Sequence, residues 1–142
     1  MVYTSQTKKA MIIAFNAHLN QIDKSGVPYI YHPIHVAEQM DTEEECIVAL
    51  LHDVVEDTDI TFADLEKEFS PSVIEALKLL TRDKTVDYME YVEKVKTNPI
   101  ARKVKLVDLM HNSDESRLNA VTLKDEERHK KYIKAISIIK NN

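Results

Sequence analysis

Thr42-Glu43-Glu44-Glu45-Cys46-Ile47-Val48-Ala49-Leu50-Leu51-His52-Asp53 decides the fold. Thr42 and Glu45 have capping-box spacing, in which a hydroxyl and a carboxylate three residues on satisfy each other's free amides. The apolar run 46–51 follows at once, so the stretch predicts a helix opening at 43 and carrying His52 and Asp53. Three acids in its first turn suit the positive end of the helix dipole. Cys46, the lone cysteine, falls in this run and reads as a buried, inert thiol; there is no disulfide framework and no cysteine-based zinc site.

Helical signals recur on either side. Ala10, Ile13, Ala14 and Ala17 space an amphipathic helix over about 6–19, ended by the Gly26-Val27-Pro28 turn. A second helix is expected over 29–40, with Pro33 tolerable in its first turn. Thr61 and Asp64 cap a short helix ending near Phe69, and Ser70-Pro71 opens another through Val73, Ile74, Leu77 and Leu80. Arg82-Asp83-Lys84-Thr85 is a polar break. A helix from Tyr88 to Lys96 stops at Asn98-Pro99, which starts one through Val104, Asp108 and His111; a last helix runs from about 125 to 140. With one glycine and four prolines in 142 residues, and no repeat or linker, the reading is one all-α, bundle-like domain over 1–142.

His52-Asp53 carries the chemistry. Two polar groups emerging beside Leu50 and Leu51 are costly to bury unless something satisfies both. A divalent metal does so, since imidazole nitrogen and carboxylate oxygen suit manganese, iron or zinc. On a helix Glu56 lies four residues after His52 and Asp57 four after Asp53, placing an acidic pair one turn on. His32, fixed beside Pro33, and Asp108, flanked by apolar residues, complete a set of two histidines and two aspartates with positions open for water and substrate.

The order His32…His52-Asp53…Asp108 resembles the HD-domain superfamily of metal-dependent phosphohydrolases. Within it, three stretches are similar to the hydrolase domain of RelA/SpoT-type proteins and their small stand-alone relatives, which degrade guanosine tetraphosphate (ppGpp). They are Gly26-Val27-Pro28-Tyr29-Ile30-Tyr31-His32-Pro33, Ala49-Leu50-Leu51-His52-Asp53-Val54-Val55-Glu56-Asp57-Thr58, and Lys105-Leu106-Val107-Asp108-Leu109-Met110-His111-Asn112. The resemblance implies an all-α fold, one Mn²⁺ (or another divalent metal) on His32, His52, Asp53 and Asp108, and removal of the 3′-pyrophosphate to leave GDP. It implies that Glu56 and Asp57 orient water and move protons, and that Lys24, Asn112, Arg128 and Tyr132 contact the nucleotide. Arg82 and Lys84 are further cations for phosphate. Asp23 and Leu109 stand where the family usually has arginine, and Ser113-Asp114-Glu115 where it often has Met-Arg-Thr. A phosphohydrolase of another nucleotide therefore stays open, as does a module that binds a nucleotide without cleaving it.

The remaining histidines carry less. His111 is expected to orient a metal ligand, His18 and His35 to be structural with no partner implied, and His129 to be exposed on a charged helix. A net charge of −5 with both signs interspersed offers no basic surface to nucleic acid. No stretch reads as a signal peptide or is long enough to span a bilayer, and no synthetase segment follows, so a cytoplasmic hydrolase of a small nucleotide is expected. The sequence leaves the oligomeric state open.

Overall fold

The computed structural model describes residues 1–141, apart from the side chain of residue 115. It is all-α: α1 (Ser5–Ala17), α2 (Tyr31–Glu38), α3 (Glu43–Leu51), α4 (Val54–Asp57), α5 (Phe62–Glu66), α6 (Pro71–Leu80), α7 (Tyr88–Val95), α8 (Pro99–Asn112) and α9 (Leu123–Lys140), with a 3₁₀ turn at Glu115–Arg117. Among the described residues the extended pairing is a single bridge, Ile22 to Pro28. No helix among them is long and apolar enough to cross a membrane.

α3 is the axis of the molecule, because an element apolar on every side is stable only when covered on every side. Cys46 through Leu51 are all buried, and α1, α2, α6 and α8 pack around them. Each fully covered leucine there contributes about 1.5–3 kcal/mol. The small buried residues Ala10 and Ala14 let α1 lie close against this axis. The expected capping boxes at Thr42/Glu45 and Thr61/Asp64 both form, and Ser70 and Asn98 cap α6 and α8 with proline in the first turn.

Two expectations are corrected. The helix opened by Thr42 does not carry His52 and Asp53 within it: α3 ends at Leu51, and Asp53, at φ −105° and ψ −1°, precedes the separate turn α4. The His52 ring takes the Ala49 carbonyl at 2.5 Å, the acceptor an unbroken helix would offer the Asp53 amide, so a side chain competes with the ladder. The second correction is at α9, which begins at Leu123 rather than near 125, because Thr122 and Asp125 form a capping box.

The fold brings three remote segments together. The loop between α1 and α2 folds back on itself, with Tyr29 N–H on the Gln21 carbonyl and Gly26 turning at φ +80°. It delivers Tyr29 and the start of α2 to the end of α3. Ala101, Val104 and Asp108 form the buried face of α8, which presents Asp108 to the same point. α9 lies against α7 and α8.

Candidate metal centre

Where α2, the α3–α4 junction and α8 meet, one nitrogen or oxygen from each of His32, His52, Asp53 and Asp108 lies within 4.8 Å of all the others. The His32, His52 and Asp108 residues are 3–4% exposed. His32 Nε2 stands 2.8 Å from Asp108 Oδ1, and His52 Nε2 3.0 Å from Asp53 Oδ2 and 3.4 Å from Asp108 Oδ1. The structure therefore brings together the four residues expected to be ligands.

Both imidazoles turn Nε2 toward the carboxylates, and against the opposing effect of burial Asp53 and Asp108 raise His52 well above its ordinary value. His52 donates Nδ1–H to the Ala49 carbonyl, and its buried Nε2 has no hydrogen-bond partner. Burial and the neighbouring His32 lower His111 to about 4, so His111 is neutral. Its Nδ1 stands 2.8 Å from His32 Nδ1, on the side of the His32 ring away from Asp108. A partner that fixes the distal nitrogen of a histidine is how proteins select the ligating tautomer, and it is the part expected of His111.

The carboxylates are held ionised. Burial alone would raise Asp108, but Lys105 and the two histidines outweigh it and keep it well below the usual range. Lys105 Nζ and Asn112 Nδ2 each donate to it at 3.0 Å. Asp53, whose burial also opposes ionisation, is brought to about 2 by His52. The Tyr29 hydroxyl donates to Asp53 through a short hydrogen bond; burial and that same carboxylate push the phenol far above its ordinary value, so it remains a donor. Two carboxylates and two imidazoles, with the buried His52 Nε2 lacking a hydrogen-bond partner, are the donor set of a divalent metal, whose binding displaces protons from its ligands.

Glu56 and Asp57 open onto a cavity of about 220 Å³ beside the four donors, whose lining also includes Arg82, Tyr88, Lys105, Asn112, Lys131 and Tyr132. Their carboxylate oxygens and one of Asp53 lie within 4.8 Å of each other. Glu56 accepts from the Arg82 backbone amide at 2.8 Å. Partial burial, Asp53 and Glu56 raise Asp57 to about 6, within reach of both protonation states near neutrality.

A second cavity of about 340 Å³ adjoins the first across Tyr29, Asn112 and Tyr132. Lys24, Asn112, Arg128 and Tyr132, the expected nucleotide contacts, all line it. Arg82 reaches the metal cavity and Lys84 lines neither. Asp23 caps the loop amides of Ser25 and Val27 and pairs with Arg117 at 3.1 Å. A guanidinium thus stands at the cavity edge although position 23 is acidic.

Three further histidines have partners in the fold, and of these His129 is less exposed than expected. His35 stacks on His111 at 4.0 Å, extending the row from His32. His18 is buried, 3.0 Å from Gln21 Oε1 and packed on Tyr29. His129 is half-buried, its Nδ1 3.0 Å from the Ser113 carbonyl, which fastens α9 to the end of α8. Sequence reasoning missed Tyr29, Lys105 and Lys131 as members of the site. Lys105 precedes Asp108 by three and Lys131 follows Arg128 by three, a same-face spacing that marks both; Tyr29 is brought in by the loop alone.

The fold and the four donors define a metal-binding HD domain. The chain belongs to this family, whose profile matches residues 10–110. It is similar to guanosine-3′,5′-bis(diphosphate) 3′-pyrophosphohydrolase MESH1 of Drosophila melanogaster, 35% identical over 122 residues, or 78% of this chain and 68% of that one. It is also similar to the bifunctional (p)ppGpp synthase/hydrolase SpoT of Escherichia coli K12, 37% identical over 120 residues, or 74% of this chain but 17% of that one. A solved structure, reported as a metazoan ortholog of SpoT that hydrolyzes ppGpp and plays a role in starvation responses, superposes with a TM-score of 0.82. It is 25% identical, over 99% of this chain and 89% of that one.

Proposed function

We propose that this chain is a Mn²⁺-dependent hydrolase that removes the 3′-pyrophosphate of guanosine tetra- and pentaphosphate, converting ppGpp and water to GDP and pyrophosphate. The observation that carries this reading is the adjacency of two groups. His52, Asp53 and Asp108 of the four-donor set share one cavity with the acidic pair Glu56 and Asp57. The names of the MESH1 and SpoT relatives supply the substrate.

Manganese fits the two carboxylates and two imidazoles. When bound, a divalent ion supplies Lewis-acid polarisation of a phosphoryl oxygen and makes water more acidic. The remaining work falls to the chain. Asp57, raised to about 6, accepts a proton from the attacking water, while Glu56, anchored on the Arg82 amide, orients that water. The water oxygen bonds to the phosphorus attached at the sugar 3′ oxygen, that P–O bond breaks, and the 3′ oxygen leaves carrying a proton.

Cations guide the polyanion in, although the chain as a whole is acidic. Burial, then Arg128, Asp125 and Lys131, set Lys24, and the balance lowers it. Burial, Arg82, Arg128 and Lys105 lower Lys131. Lys24 and Arg128 line the outer cavity, and Lys131 and Arg82 the one beside the metal donors. Lys24, Arg128, Asn112 and Tyr132 hold the nucleoside end. The lone buried thiol Cys46 suits the reducing cytoplasm.

The test is incubation of the manganese-loaded protein with ppGpp, following GDP and pyrophosphate by ion-exchange chromatography, with Asp53→Ala as control. Both products are expected from the wild type alone, and Asp53→Ala is expected to lose metal and activity together. Silence with manganese fully bound would overturn the reading in favour of a nucleotide-binding module. Turnover of a different nucleotide only would replace the substrate and keep the chemistry.

A further inference from the structure

Arg82 and Lys131 come from remote parts of the chain and gather over one ring. The Arg82 guanidinium carbon is 5.1 Å and the Lys131 ammonium 4.4 Å from the centre of the Tyr88 ring, in the lining of the metal cavity. Neither makes an ion pair among the described residues. In the same cavity Lys105 is paired with Asp108; in the adjoining one Arg117 is paired with Asp23 and Arg128 with Asp125, while Lys24 has no ion pair among the described residues.

Their donors are equally free. Arg82 gives one guanidinium N–H to the Val86 carbonyl at 3.4 Å, and its buried Nε has no partner. The described residues offer the Lys131 ammonium ring faces, of Tyr88 and of Tyr132 at 5.6 Å, and no hydrogen-bond acceptor. An aromatic face attracts a cation without cancelling its charge. Two positive groups with unfilled donors, held half-buried in one cavity, are an anion site waiting for its anion.

We infer that Arg82 and Lys131, steadied over Tyr88, form the subsite for the 3′-diphosphate of the substrate, holding it through hydrolysis and as free pyrophosphate afterwards. The inference rests on the reading above that the substrate carries its scissile diphosphate into this cavity. Charge favours a diphosphate. Lys105 is already committed to Asp108, so Arg82 and Lys131 are the cations of this cavity left to meet the charge on the diphosphate oxygens. Guanidinium and ammonium contacts to phosphate are charge-assisted, and hydrolysis adds an ionisable oxygen to the diphosphate they hold.

The decisive measurement is calorimetric titration of inorganic pyrophosphate into the manganese-loaded protein at constant buffered manganese activity. It is run on wild type, Arg82→Gln, Lys131→Gln, the double variant, and Lys94→Gln as a control of equal charge change on an exposed site. Pyrophosphate affinity is expected to fall about tenfold in each single variant and about a hundredfold in the double, with Lys94→Gln unchanged. Arg82→Lys and Lys131→Arg are expected to stay within a few fold of wild type, which separates charge from mere packing. Unchanged affinity in a folded double variant, or an equal loss in Lys94→Gln, would overturn the subsite. Parallel ppGpp turnover separates the two claims: a silent wild type whose pyrophosphate affinity still depends on Arg82 and Lys131 removes the substrate assignment and leaves the subsite. An active wild type indifferent to both residues does the reverse.

Discussion

The metal end and the cationic end of the cavity are held by opposite means. At the metal end every donor has a fixed partner: His52 has the Ala49 carbonyl, His32 has His111, Asp53 has Tyr29, and Asp108 has Lys105 and Asn112. At the cationic end Arg82 and Lys131 rest on the Tyr88 ring, with donors unfilled. Hydrogen bonds fix direction, which a metal with set bond vectors demands. A ring face fixes neither direction nor charge, which suits a flexible polyanion that enters and must leave. The first end is organised as geometry and the second as potential.

Removing a group that belongs to neither end gives the largest expected effect. Glu56→Ala is expected to keep its metal and lose about 10²-fold or more in kcat, read from metal content and ppGpp turnover on the same preparation. A loss confined to KM would instead make Glu56 a prop for the cationic wall through the Arg82 amide. Next in size is Tyr29→Phe, which deletes the hydroxyl that donates to Asp53 and keeps the ring against His18 and His32. Manganese affinity should fall about 10- to 100-fold while pyrophosphate affinity at saturating manganese stays within a few fold. Equal loss of both would erase the distinction between the two ends.

The same distinction explains what the sequence disclosed. His32, His52, Asp53 and Asp108 were legible because a metal needs particular atoms, and those atoms come from few residue types in an order that one chain can show. The helices were legible where a cap announced them, as at Thr42/Glu45, Ser70-Pro71 and Asn98-Pro99. The break at His52 was hidden, because it depends on the His52 ring reaching the Ala49 carbonyl inside a covered interior. Arg82 could be proposed from its place in a polar loop, but not its pairing with Lys131, which is 49 positions away (131 against 82). Potential is assembled from whatever cations tertiary structure brings near, so no local spacing records it. Asp23 shows the reverse case: read alone it removes a cation from the loop, and in the fold it recruits Arg117.

The smallest expected effect tests how much like charge the acidic pair Glu56 and Asp57 stores. Asp57 is raised to about 6 by partial burial, Asp53 and Glu56, above its ordinary unfolded value of about 3.9. Between those two values the folded state binds more protons than the unfolded one, so this residue makes stability fall as pH rises through about 4 to 6. Above that window its ionised form opposes folding fully; below it the opposition is gone. In metal-free protein Asp57→Asn should therefore raise Tm at pH 8 by about 2–4 °C, and the two proteins should converge near pH 4. The measurement is thermal unfolding by circular dichroism across that range. A constant gap at every pH would mean that Asp57 packs rather than repels. A gap that vanishes on loading manganese would show that the metal absorbs the carboxylate repulsion, joining the acidic pair to the metal end of the cavity rather than to the cationic one.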